Sequence, residues 1–107
     1  MGSPRLILVV TLEVRNEAAA DFDRFETQAA AILSKRGGRI ERVIRLEGSA
    51  APGSFCEVHL VSFPDEAAFN AYRSDPELLA LKNLRERAIL STGIVRGQDV
   101  PIYSATD

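Results

Sequence analysis

The chain has 107 residues, of which 46% are apolar and 26% charged, and a formal net charge of -2 at pH 7. Such a chain makes one domain, spanning 1–107, with a single core and a solvated surface. The acidic balance gives no electrostatic footprint for nucleic acid, and no apolar run nears the ~20 residues of a membrane span. The lone cysteine, Cys56, excludes an internal disulfide and suits a cytoplasmic location.

Leu6, Leu8, Val10, Leu12 and Val14 alternate with Ile7, Val9, Thr11 and Glu13. Both sets are rich in apolar and β-branched residues, which predicts an interior strand. Leu6 to Val10 is too short for a secretory h-region, and no small-residue cleavage site follows. Met1-Gly2-Ser3 is given no role. Asn16 then offers a helix N-cap, and Phe22, Phe25, Ala29 and Ile32 form one stripe of an amphipathic helix. Lys35 and Arg36 suit the negative end of that helix, and Gly37 or Gly38 supplies the left-handed close.

Arg39 to Glu47 alternates as a second strand, Gly48 to Ser54 reads as a loop, and Phe55 to Phe63 is a third strand. Pro64-Asp65 opens a second helix carrying Ala68, Phe69 and Tyr72 at helical spacing. The helix restarts at Asp75-Pro76, with Asp75 as cap and Ser74 and Glu77 at capping-box spacing. Leu78, Leu79, Leu81 and Leu84 mark its apolar side. Gly93 to Gln98 is the last strand, and Pro101 to Asp107 is a tail.

The order β-α-β-β-α-β predicts an α+β, ferredoxin-like fold: a four-stranded antiparallel sheet with the helices on one face. Within it, strands one and three are expected side by side and parallel at the centre. The even positions of strand one and Cys56, Val58 and Leu60 are the more uniformly apolar set, so they are expected to meet the helices. Ile7, Val9, Thr11, Glu13, Val43, Arg45, Phe55, Glu57, His59, Val61 and Phe63 then form the open face. That face is too apolar to remain in water, which predicts a homodimer formed through it.

His59 is the sole histidine and the first candidate for catalysis, as general acid or base. The competing role is a structural histidine bonded across the dimer interface. A hairpin closed by Gly48 to Ser54 sets Val43 opposite His59 and Arg45 opposite Glu57. Arg45 and Glu57 then form a cross-strand ion pair, or else Arg45 holds a substrate oxyanion. Tyr72 packs with Phe69 and brings its hydroxyl to the cavity edge, so Arg45, Glu57 and Tyr72 are the candidate substrate-binding residues. Glu13, Glu41 and Arg96 are weaker candidates of the same kind. Cys56 has no neighbour in sequence that would activate it. No metal-ligand spacing, phosphate loop or nucleophile elbow is present, so no metal and no cofactor is expected. Phe55 and Phe63 raise an RNA-binding reading, but strand three lacks the basic–aromatic alternation of that motif.

The stretch Glu57-Val58-His59-Leu60-Val61-Ser62-Phe63-Pro64-Asp65, followed by Ala67, Ala68, Phe69, Tyr72 and Ser74-Asp75-Pro76, resembles small bacterial proteins of the dimeric α/β-barrel superfamily. These are ferredoxin-like and similar to antibiotic-biosynthesis monooxygenases. The resemblance implies that fold and a dimer. It also implies a cofactor-independent enzyme of monooxygenase or isomerase type acting on a small aromatic, quinonoid or lactone-like compound. The alternative is a non-catalytic dimeric module that binds a small ligand or a protein. The chain contains no Trp, so it departs from the monooxygenases that use one and from the Asn and Trp pairing of haem-degrading members.

Overall fold

The computed structural model describes residues 5–48 and 51–103. Met1-Gly2-Ser3, part of the loop after the second strand and the end of the C-terminal tail lie outside the described residues. The elements are β1 (Leu6–Arg15), a 3-10 turn (Asn16–Ala18), α1 (Ala19–Lys35), β2 (Arg39–Arg45), β3 (Ser54–Phe63), α2 (Glu66–Arg73), α3 (Pro76–Leu79), α4 (Lys82–Ala88) and β4 (Ile89–Gly97). The sheet order is β2-β3-β1-β4, and each neighbouring pair is antiparallel. The molecule has the ferredoxin-like α+β architecture.

Strands β1 and β3 lie side by side at the centre, but antiparallel rather than parallel. The connections require it. Helix α1 returns the chain so that β2 runs in the direction of β1, and the following hairpin reverses it. β3 therefore enters against β1 pointing the other way.

Helix α1 closes as its glycines dictate. Gly37 has φ +85°, and the Gly38 amide donates to the Leu33 carbonyl at 2.9 Å. A Cβ on Gly38 would lie 2.7 Å from Leu33 and Phe63 side-chain atoms, so only glycine fits. Asn16 does not cap the helix. The chain enters through the 3-10 turn instead, and the Asn16 amide donates to the Gly53 carbonyl at 3.0 Å.

Asp65 caps α2 by accepting from the Ala68 amide, and Asp75 caps α3 by accepting from the Glu77 amide, with Pro76 in the first turn. The Ser74 hydroxyl makes no capping box; it donates back to the Asn70 carbonyl at 2.8 Å. β4 begins at Ile89, four residues ahead of the predicted start, because Ile89, Ser91 and Thr92 pair with β1 around a register shift at Glu13/Val14.

The register settles which side chains share a face. Leu8 lies opposite Val61, Val10 opposite His59, Leu12 opposite Glu57 and Val14 opposite Phe55. Opposed residues of an antiparallel pair point the same way. The even positions of β1 and the odd positions of β3 therefore share the helix-covered face, where Leu8, Leu12, Val14, Glu57, His59, Val61 and Phe63 are all buried. Cys56, Val58 and Leu60 occupy the open face with Ile7, Val9 and Thr11. This reverses the assignment of β3 that residue hydrophobicity predicts. The open face becomes more apolar as a result, because Ile44 of β2 and Val95 of β4 join it by register. The molecule measures 44 × 41 × 17 Å, the shape of one helical layer on one sheet.

The core divides into two apolar clusters. One gathers Leu12, Val14, Phe22, Phe25, Ala29, Leu84, Ala88 and Ile89. The other gathers Leu8, Leu33, Val61, Phe63 and Phe69. Val10 touches both, and its cross-strand partner is His59. No helix among the described residues is long and apolar enough to cross a membrane.

Candidate functional site

Between the two clusters, the helix-covered side of β3 carries polar residues where an ordinary core would carry aliphatic ones. Glu57 and His59 are 6% and 5% exposed. Their burial demands partners, and each has them. His59 Nε2 lies 2.8 Å from Glu57 Oε1. The other carboxylate oxygen of Glu57 accepts from Arg45 Nε at 3.0 Å and from Arg45 Nη2 at 2.6 Å. Arg45 also stacks over the Phe55 ring, 4.2 Å from its centroid. Arg45, Glu57 and His59 thus form one connected row running inward from the sheet edge.

Burial works to raise the Glu57 carboxyl, but the hydrogen bonds from His59 and Arg45 outweigh it and hold the group below the ordinary carboxylate value. Glu57 is therefore an anion and can only accept. It fixes the His59 proton on Nε2, which leaves Nδ1 as the basic nitrogen. Nδ1 faces Glu26 of α1, whose Oε1 is 3.7 Å away.

His59 and Glu26 line a cavity of about 480 Å³ between sheet and helices, with Val10, Phe25 and Phe69 among its apolar walls and Tyr72 at its side. That volume suits a small organic molecule. The Tyr72 phenol is pushed up to about 12 by burial and by the nearby Glu26, so it is neutral and can donate. Arg85 of α4 reaches the same cavity, its Nη2 donating to Thr92 Oγ1 at 2.8 Å. Among the described residues, no group of three or more His, Cys, Asp or Glu is placed to hold a metal ion.

The structure brings His59, Glu57 and Tyr72 to one region and sets Arg45 behind Glu57. Arg45 makes the cross-strand ion pair and is not among the residues lining the cavity. His59 lies on the helix side of the sheet, so the expectation that it stands on the open, dimer-facing side is overturned by the register. Glu13 and Glu41 lie on the open face with Ser54 and Ser62 as partners. Arg96 forms a two-pronged pair with Glu66. Cys56 is half-buried on the open face, away from His59.

Glu26 and Arg85 are cavity residues that sequence reasoning did not single out. Glu26 follows Phe22 by four residues and precedes Ala29 by three; Arg85 follows Leu81 by four and precedes Ala88 by three. Both are charged residues on an apolar stripe, and that interruption is the signal that finds them.

Neither a protein-family model nor a curated protein matches the sequence. Solved structures do match the fold. A protein of unknown function from Rhodopseudomonas palustris superposes with a TM-score of 0.76 at 14% identity, covering 92% of this chain and 85% of its own. An antibiotic biosynthesis monooxygenase candidate from Nitrosomonas europaea gives 0.68 at 12% identity and covers 94% of each chain. SnoaB, a cofactor-independent oxygenase from Streptomyces nogalater, gives 0.61 at 16% identity, covering 92% of this chain and 97% of its own. At such identities the likeness is one of fold, and the fold is the ferredoxin-like one of antibiotic-biosynthesis-monooxygenase-type proteins.

Proposed function

We propose that the chain is a homodimeric, cofactor-independent enzyme of monooxygenase or isomerase type. Its substrate is a small, largely apolar organic compound of aromatic, quinonoid or lactone-like character, bound in the cavity beside His59. One observation carries the reading. A buried histidine is oriented by an ionised carboxylate on one ring nitrogen, and its other nitrogen faces Glu26 beside the largely apolar cavity that both residues line. A base held by a third group is the recurrent arrangement for proton abstraction, and a purely structural histidine needs no cavity at its free nitrogen.

In this reading Glu57 holds the imidazole and stabilises the imidazolium that forms. Arg45 holds Glu57 as a positioning residue, and His59 Nδ1 takes the proton. The neutral Tyr72 hydroxyl donates a hydrogen bond to a developing oxyanion. Positioned acid–base catalysis of this kind contributes ~10²–10⁴-fold. The fold shared with a cofactor-independent oxygenase supports the absence of a cofactor requirement. The dimer rests on the open face, where Ile7, Val9, Val58, Leu60 and Val95 leave an apolar surface that a second copy would cover.

The test compares wild type with His59→Gln. Two readouts are used: oxygen uptake with a naphthol, and carbon–hydrogen exchange of 2-tetralone in D₂O followed by NMR. Binding of each compound is measured alongside. Turnover falling ~10²-fold or more in His59→Gln with binding retained supports the enzyme. Binding without turnover in wild type supports the non-catalytic ligand-binding module instead.

A further inference from the structure

Glu26 is a carboxyl group inside the cavity that the scheme above leaves idle. It projects from α1 across to β3, and its Oε1 stands 3.7 Å from His59 Nδ1. That separation is too long for a hydrogen bond, yet it is the span over which two groups can address one bound molecule. The groups acting on Glu26 are His59 and Glu57 from β3, Arg85 from α4 and Tyr72 from α2. Burial raises the Glu26 carboxyl above its ordinary value, while Glu57, held by His59 and Arg45, is lowered. Two carboxyls flank one imidazole, and their surroundings drive them apart. Divergence of that kind separates acid from base in a site.

We infer that Glu26 is the acid partner of His59, and that the pair catalyses a proton shift on a small carbonyl compound rather than a reaction with oxygen. The inference rests on the reading of His59 as proton acceptor and narrows it to tautomerisation. His59 Nδ1 takes a proton from the carbon next to the carbonyl. The C–H electron pair stays with the ligand and moves through the new C=C bond onto the carbonyl oxygen. The Glu26 O–H bond breaks and its proton goes to that oxygen. The products are the enol, a protonated His59 and an ionised Glu26. As the enol departs, the extra proton passes from His59 to Glu26, directly or through one water, and the starting state returns. No electrons leave the ligand, so the cycle needs no oxidant, reductant or cofactor. The neighbouring Tyr72 hydroxyl steadies the same oxygen.

The probe is 2-tetralone in D₂O, whose exchange at the carbon between ring and carbonyl is read by proton NMR. His59 is the only histidine in the chain, so its ring-proton signals are unambiguous and give a readout independent of turnover. In wild type those signals should show an inflection with pH where Glu26 titrates. Glu26→Gln removes the inflection and slows exchange about 10²-fold. Glu26→Asp keeps the acid one methylene further back, so the inflection returns with part of the exchange rate.

Persistence of that inflection in Glu26→Gln, or exchange within about twofold of wild type, overturns the role of Glu26 and leaves the role of His59 standing. Exchange that is absent in wild type overturns this inference, and exchange that is unchanged in His59→Gln overturns the parent reading with it. Oxygen uptake that matches product formation overturns the tautomerase assignment alone.

Discussion

The two faces of β3 are made from the same ten residues and are put to opposite uses. The odd positions, Phe55 to Phe63, lie under the helices and include the only charged residue and the only histidine of the strand. The even positions Cys56, Val58 and Leu60 are uniformly apolar and face outward, partly exposed. Hydrophobicity alone would exchange them. Burial here follows register and topology, and the polar pair is tolerated inside because Arg45 completes it. The apolar trio outside is a surface that a second copy would cover. Polarity beneath the helices and apolarity in the open are both departures from a minimal fold, and departures of that kind mark function.

The largest effect expected from breaking this contrast comes from its packed end. Phe63 is fully buried and touches the Phe69 and Tyr72 rings. Phe63→Ala should cost ~3–5 kcal/mol in denaturant unfolding; a loss under about 1 kcal/mol would mean the second cluster is loosely packed. On the other side of the strand, Val58→Glu should leave the monomer folded. It should weaken self-association by roughly 3 kcal/mol, about 150-fold, as a charge is forced into an apolar interface. Sedimentation velocity reads this directly, and an unchanged dimer would place the interface elsewhere.

Glu57→Gln sharpens the comparison within the buried face and should cost about 1–3 kcal/mol at neutral pH, because it leaves Arg45 and His59 poorly matched. Its sign with pH is fixed. Glu57 is lowered in the folded state, so its contribution is complete above the unfolded carboxylate value of about 4.3 and is lost as pH falls through the folded one. The gap between wild type and Glu57→Gln should therefore close in acid.

Glu26 behaves oppositely. Its folded value is raised, so at neutral pH folding must either bury its charge or take up a proton, and Glu26→Gln should stabilise by about 0.5–1 kcal/mol. That gain should shrink as pH falls and wild-type Glu26 takes up its proton. Thermal unfolding at pH 7 and pH 4 checks both directions. A Glu26→Gln protein less stable than wild type at pH 7 would give the carboxylate a structural role.

Much of the fold was legible in the chain. Alternation over Leu6 to Val14 placed β1, the Phe22, Phe25, Ala29 and Ile32 spacing placed α1, and Asp75-Pro76 placed the restart at α3. Caps and boundaries were read less well. Asn16 and Ser74 have the right chemistry for caps, but Asn16 lies in the 3-10 turn with its amide on Gly53, and the Ser74 hydroxyl bonds back into α2 at Asn70. Of the candidate site, His59, Glu57 and Tyr72 were readable from residue type, and the Arg45–Glu57 pairing from the hairpin. Glu26 and Arg85 interrupt apolar stripes, but that signal alone does not tell which strand residues they face until the opposing strand is in place.

Periodicity and turn chemistry are local, and they determined from the sequence alone that two helical segments and four strands follow in the order β-α-β-β-α-β. The direction of β1 against β3, and with it the face on which His59 stands, depends on how distant strands hydrogen-bond. A shift of one residue in that pairing would turn every side chain of β3 to the other side. Only the tertiary structure fixed it, because the hydrophobicity of β3 points to the wrong face and nothing local to the strand corrects it.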